Sequence, residues 1–300
     1  MSIRHFLTLF DLSSDELSGL IDRAQTIKNT HEASDLGSLM SGMTMVMLFE
    51  KPSTRTRISF EVAATHFGGH TVFLEPQHSQ LSRGESLSDT SRVISSMADL
   101  IVMRTFAHDR IVTLAEFSSV PVINAMSDSY HPCQLLADVL TFTEKKGSIR
   151  DAKISWVGDG NNVCHSWINA AVKFNFDLQL ACPPRYEPDP NILEVAKNRV
   201  KLMHSPKEAV ARSDLVVTDT WRSIGSKMDN AQIKQDFYGF TVTNSLMELA
   251  HEDALFMHCL PAYRGEEVSA EVIDGPQSVV WEETENRLHA QKALMEFLIT

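Results

Sequence analysis

The chain has 300 residues, 43% hydrophobic and 22% charged, the balance of an ordinary soluble globular protein with room for about two domains. A formal net charge of −12 argues against nucleic acid as a partner, so an anionic ligand must be held by a local basic cluster working against the overall field. No apolar run is long enough to span a bilayer, the opening Met1-Ser2-Ile3-Arg4-His5-Phe6 lacks the apolar stretch of a secretion signal, and Cys133, Cys164, Cys182 and Cys259 form no Cys-x-x-Cys pair; no membrane, no zinc site and a reducing, cytoplasmic setting are expected.

Taken in order, Ser13-Ser14-Asp15-Glu16 matches a capping box and opens a helix through about Lys28. A strand is predicted over 43–49, followed by the turn Lys51-Pro52-Ser53-Thr54-Arg55-Thr56-Arg57 and a helix that stops at Gly68-Gly69. Short strands follow at 70–74, 100–103 and 121–125, with helices at 86–94 and about 110–117 between them, and a helix runs from His131 to about Glu144. Lys145-Lys146-Gly147-Ser148 is polar and breaks that helix, and the rhythm then restarts. Strands at 154–157, 178–181, 215–218 and 254–257 alternate with helices, Val279-Val280-Trp281 reads as a last short strand, and a helix from about Glu283 closes the chain. Short β-branched runs alternating with helical segments mean βαβ units and parallel sheets. The expected fold is therefore α/β, two doubly wound domains with parallel sheets over 1–146 and 147–282, and a C-terminal helix at 283–300 packing back on the first domain. In such sheets ligands sit at the carboxyl ends of strands, which is where the unusual polar residues cluster.

Six groups stand out there, and Arg287 in the last helix makes a seventh. The Ser/Thr-rich turn at 53–57 places backbone N–H groups, the hydroxyls of Ser53, Thr54 and Thr56, and the Arg55 guanidinium around one point, a site for phosphate or another small dianion. It lacks Walker spacing, and a plain helix start with two surface arginines is the bland alternative. Arg104 ends an apolar strand, either as a second clamp on the dianion or as a snorkelling edge residue. His131-Pro132-Cys133-Gln134 starts a helix with His131 and Gln134 one turn apart, a donor and an acceptor suited to an amide-like group. Gly158-Asp159-Gly160-Asn161-Asn162 suggests a dinucleotide fingerprint, but Val163 stands at the third glycine position; the two asparagines can bind an amino-acid head group instead. Asp219 offers a carboxylate to a ligand cation, with Ser223 and the turn to Gly225 as donors to a ligand carboxylate. His258-Cys259-Leu260-Pro261 ends a strand with a thiol beside a histidine, the setting for a lowered thiol pKa or for two packed side chains before a turn. Arg287 opens the last helix, where most arginines are solvated.

Together and in this order, Ser-Thr-Arg-Thr-Arg at 53–57, His-Pro-Cys-Gln at 131–134, Asp-x-Trp-x-Ser-x-Gly at 219–225 and His-Cys-Leu-Pro at 258–261 resemble the ornithine branch of the aspartate/ornithine carbamoyltransferase family, over essentially the whole chain. The resemblance implies carbamoyl transfer from carbamoyl phosphate to the δ-amine of L-ornithine, giving citrulline and phosphate, with no cofactor and no metal. It implies a carbamoyl phosphate set of Ser53, Thr54, Arg55, Thr56, Gln80, Arg104, His131, Gln134, Cys259, Leu260 and Arg287, and an ornithine set of Asn162, Asp219, Ser223 and Ile224. Arg55, Arg104, His131, Gln134, Asp219 and Cys259 are the catalytic residues so implied. It further implies a homotrimer or a higher assembly of trimers, with Gln80 reaching into a neighbour's site. Ile224 departs from the methionine usual in the family, and a β-branched side chain is stiffer there. Rival readings are a carbamoyltransferase for another amine, such as putrescine or N-acylated ornithine, and a non-catalytic homologue, whose expected mark is loss of Arg55, His131 or Asp219; none is lost.

Overall fold

The computed structural model describes residues 3–30, 37–75, 77, 79–221 and 229–300. The chain divides into two compact units: the first is Met1–Leu140 with Glu285–Thr300, the second Thr141–Thr284.

In the first unit α1 (Ser14–Asn29) opens with the expected capping box, in which the Ser13 hydroxyl accepts from the Glu16 amide at 3.2 Å and the Glu16 carboxylate accepts from the Ser13 amide at 2.8 Å. Its Leu17, Leu20, Ile21, Ala24 and Ile27 are buried, the spacing of one helix face. Then come β1 (Thr44–Phe49), α2 (Thr54–His66), β2 (His70–Leu74), α3 (Leu87–Ser95), β3 (Leu100–Arg104), α4 (His108–Glu116), β4 (Val122–Met126) and α5 (Pro132–Lys146). The strands form a four-stranded parallel sheet in the order β2-β1-β3-β4. β1 is buried from Met45 onward and β3 throughout, so these strands read as continuous apolar runs rather than alternating ones, as strands covered on both faces must. The order reverses between β1 and β3, and that reversal opens a crevice at the carboxyl edge. Phe49 pairs with Arg104 across this switch point, so the Ser53 turn and Arg104 leave the sheet side by side. The β3–β4 register shifts between Met103 and Arg104, a local irregularity that re-aims the arginine.

The second unit repeats the plan with β5 (Lys153–Val157), α6 (Asn162–Phe174), β6 (Asp177–Ala181), α7 (Pro190–Val195), β7 (Val200–Met203), α8 (Pro206–Val210), β8 (Leu215–Thr218), α9 (Asn230–Asp236), α10 (Asn244–Met247), β9 (Leu255–His258) and α11 (Ala270–Ile273). Its five parallel strands run β7-β6-β5-β8-β9, so the reversal lies between β5 and β8. Trp156, fully buried in β5, donates its indole N–H to the Asp159 carbonyl at 3.0 Å and so ties the turn after β5 to the strand that delivers it. The α/β class and the parallel sheets agree with the sequence reading. The strand predicted at Val279–Trp281 does not form. An isolated bridge joins Phe256 to Ser278, and α12 (Val280–Ile299) begins two residues later. Three β-branched or aromatic residues are too short a run to outweigh Glu282 and Glu283, which favour a helix N-terminus.

Candidate active site

At the β1–β3 switch point, Ser53 is the N-cap residue of α2 but makes no side-chain cap bond; its hydroxyl accepts from Arg104 Nη1 at 3.4 Å instead. The start of α2 therefore presents backbone amides with no side-chain cap, the arrangement that suits an anion. Thr56, one turn in, is buried, and its hydroxyl accepts from Arg287 Nη2 at 3.3 Å. Arg287 also donates through Nη1 to Gln134 Oε1 at 2.6 Å, and Gln134 Nε2 donates to Asp138 Oδ1 at 2.8 Å. This chain fixes which way the Gln134 amide points, with its oxygen toward Arg287 and its nitrogen toward Asp138. Arg104, His131, Gln134 and Arg287 are all buried and Arg55 is half-buried, so the reading of Arg287 as a solvated surface residue fails. Asp138, which anchors Gln134, was not singled out from the sequence; an acidic residue one helical turn on was its signal.

His131 is held well below the ordinary histidine pKa, first by burial and then by the positive charges of Arg287, Arg104 and Arg55. Three guanidiniums thus act on one ring, which stays neutral and keeps one donor and one acceptor. Cys133, its near neighbour in sequence, is a packing residue: burial pushes its thiol up to about 12, and it donates to the Asn124 carbonyl at 3.4 Å. Thr54 is exposed at the start of α2. Gln80 is exposed at the head of a 3-10 turn, Gln80–Arg83, and its side chain bonds to none of these groups among the described residues.

At the β5–β8 switch point the charge is reversed. Asp219 leaves β8 nearly buried, and its Oδ1 accepts from the Thr220 amide at 2.7 Å and from the Cys259 thiol at 3.2 Å. Its Oδ2 accepts from Asn161 Nδ2 at 2.8 Å. Asn161 is itself the N-cap of α6, its carbonyl oxygen taking the Val163 and Cys164 amides at 3.0 and 3.1 Å; Asn162 is the first helical residue. The sequence reading grouped both asparagines as ligand donors and missed that the first one holds Asp219. Asp159, also missed, has its carboxyl pushed up to about 7, first by burial and then by the Asp219 charge. Gly160 is not a phosphate-approach glycine: a Cβ there would collide with the Pro188 nitrogen and lie 2.6 Å from the Glu187 carbonyl carbon, so its role is to let the Pro-rich loop close over the turn.

The pairing of Cys259 with His258 also needs correction. His258 is fully buried and its ring nitrogens have partners other than the thiol; Nδ1 accepts from the Leu260 amide at 2.9 Å and Nε2 faces Glu267 Oε1 at 3.2 Å. The thiol donates to the Asp219 carboxylate, and His258 pins the turn in which Leu260 adopts a left-handed φ of 56°. Asp219, His258 and Cys259 bring atoms that can ligate a metal within 4.8 Å of one another, but with both ring nitrogens of His258 engaged the set works as a carboxylate–thiol pair rather than as a cation cage. Ser223 and Ile224 lie outside the described residues.

The chain matches the description "Aspartate/ornithine carbamoyltransferase, carbamoyl-P binding domain" over residues 4–144 and "Asp/Orn binding domain" of the same family over residues 150–298. It belongs to the aspartate/ornithine carbamoyltransferase family. Apart from Arg287, the residues of the basic switch point lie within the first match, and those of the acidic one within the second. An ornithine carbamoyltransferase of Chromohalobacter salexigens is 54% identical over 300 residues, covering 100% of this chain and 98% of its own. The crystal structure of ornithine carbamoyltransferase from Burkholderia thailandensis superposes with a TM-score of 0.91 at 46% identity, covering 99% of both chains. A structure of N-acetyl-L-ornithine transcarbamylase, covering 99% of this chain and 100% of its own, has a TM-score of 0.87 at 30% identity. Among the described residues, no helix is long and apolar enough to cross a membrane.

Proposed function

We propose that this carbamoyltransferase moves the carbamoyl group of carbamoyl phosphate onto the δ-amine of L-ornithine, giving L-citrulline and phosphate. The observation that carries the reading is the neutral His131 set among Arg55, Arg104 and Arg287 at the basic switch point. A phosphate dianion needs the guanidiniums and the amides of α2, while the adjoining carbonyl needs a neutral donor and the amide nitrogen an acceptor. His131 and Gln134 offer these beside the cations. In this reading Ser53, Thr54, Arg55, Thr56 and Arg287 hold the phosphate, and Arg104 reaches both the phosphate and the carbonyl oxygen.

Ornithine falls to the acidic switch point, where Asn162 and Asp219 take the amino-acid head group with Ser223 and Ile224, and the Cys259–Leu260 turn meets the reacting amine. An alkyl ammonium has an unperturbed pKa of about 10.4, so most ornithine arrives protonated and the site must favour loss of that proton. The free amine attacks the carbonyl carbon, and the tetrahedral oxyanion is held by Arg104 and His131. Its collapse breaks the carbon–oxygen bond to phosphate, which departs against Arg55 and takes up the proton that the new amide nitrogen sheds. Placing two substrates in register supplies roughly 7–11 kcal/mol of the barrier. The reading includes a homotrimer in which Gln80, exposed in this chain, enters a neighbouring site. The higher identity to the ornithine enzymes favours ornithine over its acylated form.

A citrulline assay with carbamoyl phosphate and a panel of ornithine, N-acetylornithine and putrescine tests this. Ornithine should exceed the others in kcat/KM by about 10³ or more, since a site built for a free ammonium leaves a buried carboxylate unpaired when that charge is acylated. Comparable rates with another amine would overturn the assignment.

A further inference from the structure

The Asn161 side chain joins the start of a helix to a carboxylate at the end of another strand. Two backbone N–H groups, from Val163 and Cys164, point at one end of its amide, so that end is the oxygen and the NH2 necessarily faces Asp219. Asp219 is then held from three directions: by Asn161 on Oδ2, and by the Thr220 amide and the Cys259 thiol on Oδ1. A carboxylate oxygen accepts about two hydrogen bonds, so Oδ1 is filled and Oδ2 keeps one acceptor position. We infer that Asn161 is a positioning residue for the amine substrate: it fixes the Asp219 carboxylate so that Oδ1 serves the Cys259 thiol and the remaining position on Oδ2 receives the substrate ammonium. The identity of that ammonium as ornithine's rests on the function proposed above; the orienting role does not.

Asn161 has two separable tasks, which makes the inference testable. Its oxygen caps α6, and Asp and Ser cap helices about as well as Asn. Its NH2 group orients Asp219, and neither Asp nor Ser reproduces that. Asn161→Asp places a carboxylate where a donor stood, against Asp219 and close to Asp159; Asn161→Ser keeps a cap oxygen but shortens the reach.

The thermal midpoint should stay within about 2 °C of wild type in Asn161→Ser and fall by a few degrees in Asn161→Asp, where a carboxylate is added beside Asp219. The ornithine KM should rise about tenfold or more in Asn161→Asp and by a smaller factor in Asn161→Ser, as expected for a misaligned charged hydrogen bond, with the carbamoyl phosphate KM within about twofold. Iodoacetamide alkylation of Cys259, followed by peptide mass without any substrate, should change in rate by about threefold or more in Asn161→Asp, since the charge beside the thiol changes. The other three cysteines are buried and serve as internal controls. Unchanged ornithine KM and unchanged alkylation at a wild-type midpoint would reduce Asn161 to a helix cap. Should the wild-type chain make no citrulline, the ornithine reading fails, while the substrate-free alkylation rate still decides the role of Asn161.

Discussion

The two switch points are built alike and charged oppositely. Each lies where a parallel sheet reverses its strand order, each receives one polar turn from the middle strand and one residue from the strand beside it, and each shelters a titratable group among like charges. In the first unit that group is His131, driven down by burial and by three arginines; in the second it is Asp159, driven up by burial and by Asp219. Both moves favour the neutral form, for the same two reasons with the sign exchanged. The comparison teaches that sheet topology fixes where the polar clusters sit and that a few loop side chains fix their charge, one suited to a dianion and the other to a cation.

The largest expected effect comes from removing the charge that defines the basic side. Arg55→Ala should lower kcat/KM by about 10³ or more while the thermal midpoint moves little, because the side chain is half-buried and its task is electrostatic. A rate near that of wild type would remove the phosphate clamp from this turn. Arg287→Ala should cost about 10² in carbamoyl phosphate affinity. Combined with Gln134→Ala it should be strongly non-additive, since the two side chains share a 2.6 Å bond. Simple additivity in isothermal titration would mean that they act separately.

The opposite titrations sharpen the comparison through pH. The Asp159 carboxyl is raised from 3.8 to about 7, so ornithine affinity should rise as pH passes upward through about 7 and the second negative charge appears; Asp159→Asn should remove that step. For stability the sign is the reverse: between pH 4 and 7 the folded chain binds this proton and the unfolded chain does not, so Asp159 contributes less as pH climbs through that window. His131 is lowered from 6.5, so its contribution is lost as pH falls below 6.5, where the unfolded state gains a proton that the folded ring refuses. Its imidazole resonances should not titrate between pH 8 and about 6, and a midpoint near 6.5 would break the three-arginine account. The smallest effect is expected at Cys133→Ala. This removes a buried thiol that donates to the Asn124 carbonyl, so kcat should be unchanged within about twofold and stability should fall by about 1 kcal/mol by chemical denaturation.

Much of this was legible in the residues. The apolar runs at 43–49 and 154–157, the capping box at Ser13 and the polar residues at strand ends are local signals, and the parallel sheets follow from them. What escaped detection needed contact between distant segments. Val279–Trp281 looks like a strand until its acidic followers draw it into α12. His258 looks like a partner for Cys259 because they are adjacent, yet its ring is engaged by the Leu260 amide and Glu267, and the thiol donates to Asp219, 40 positions earlier. Asn161 and Asn162 are alike in sequence, and only the cap geometry of α6 separates their roles.

The sequence by itself determined the α/β alternation, the family and the charge of the two strand-end clusters, because periodicity, motif spacing and residue type are all local properties. The tertiary structure alone decided which groups stand beside one another: that Arg287 returns to Gln134 and Thr56, that Asn161 grips Asp219, and that His131 and Asp159 are both pressed toward neutrality. The physical reason is that burial and Coulomb interaction depend on distance in space, which strand order sets and sequence separation does not.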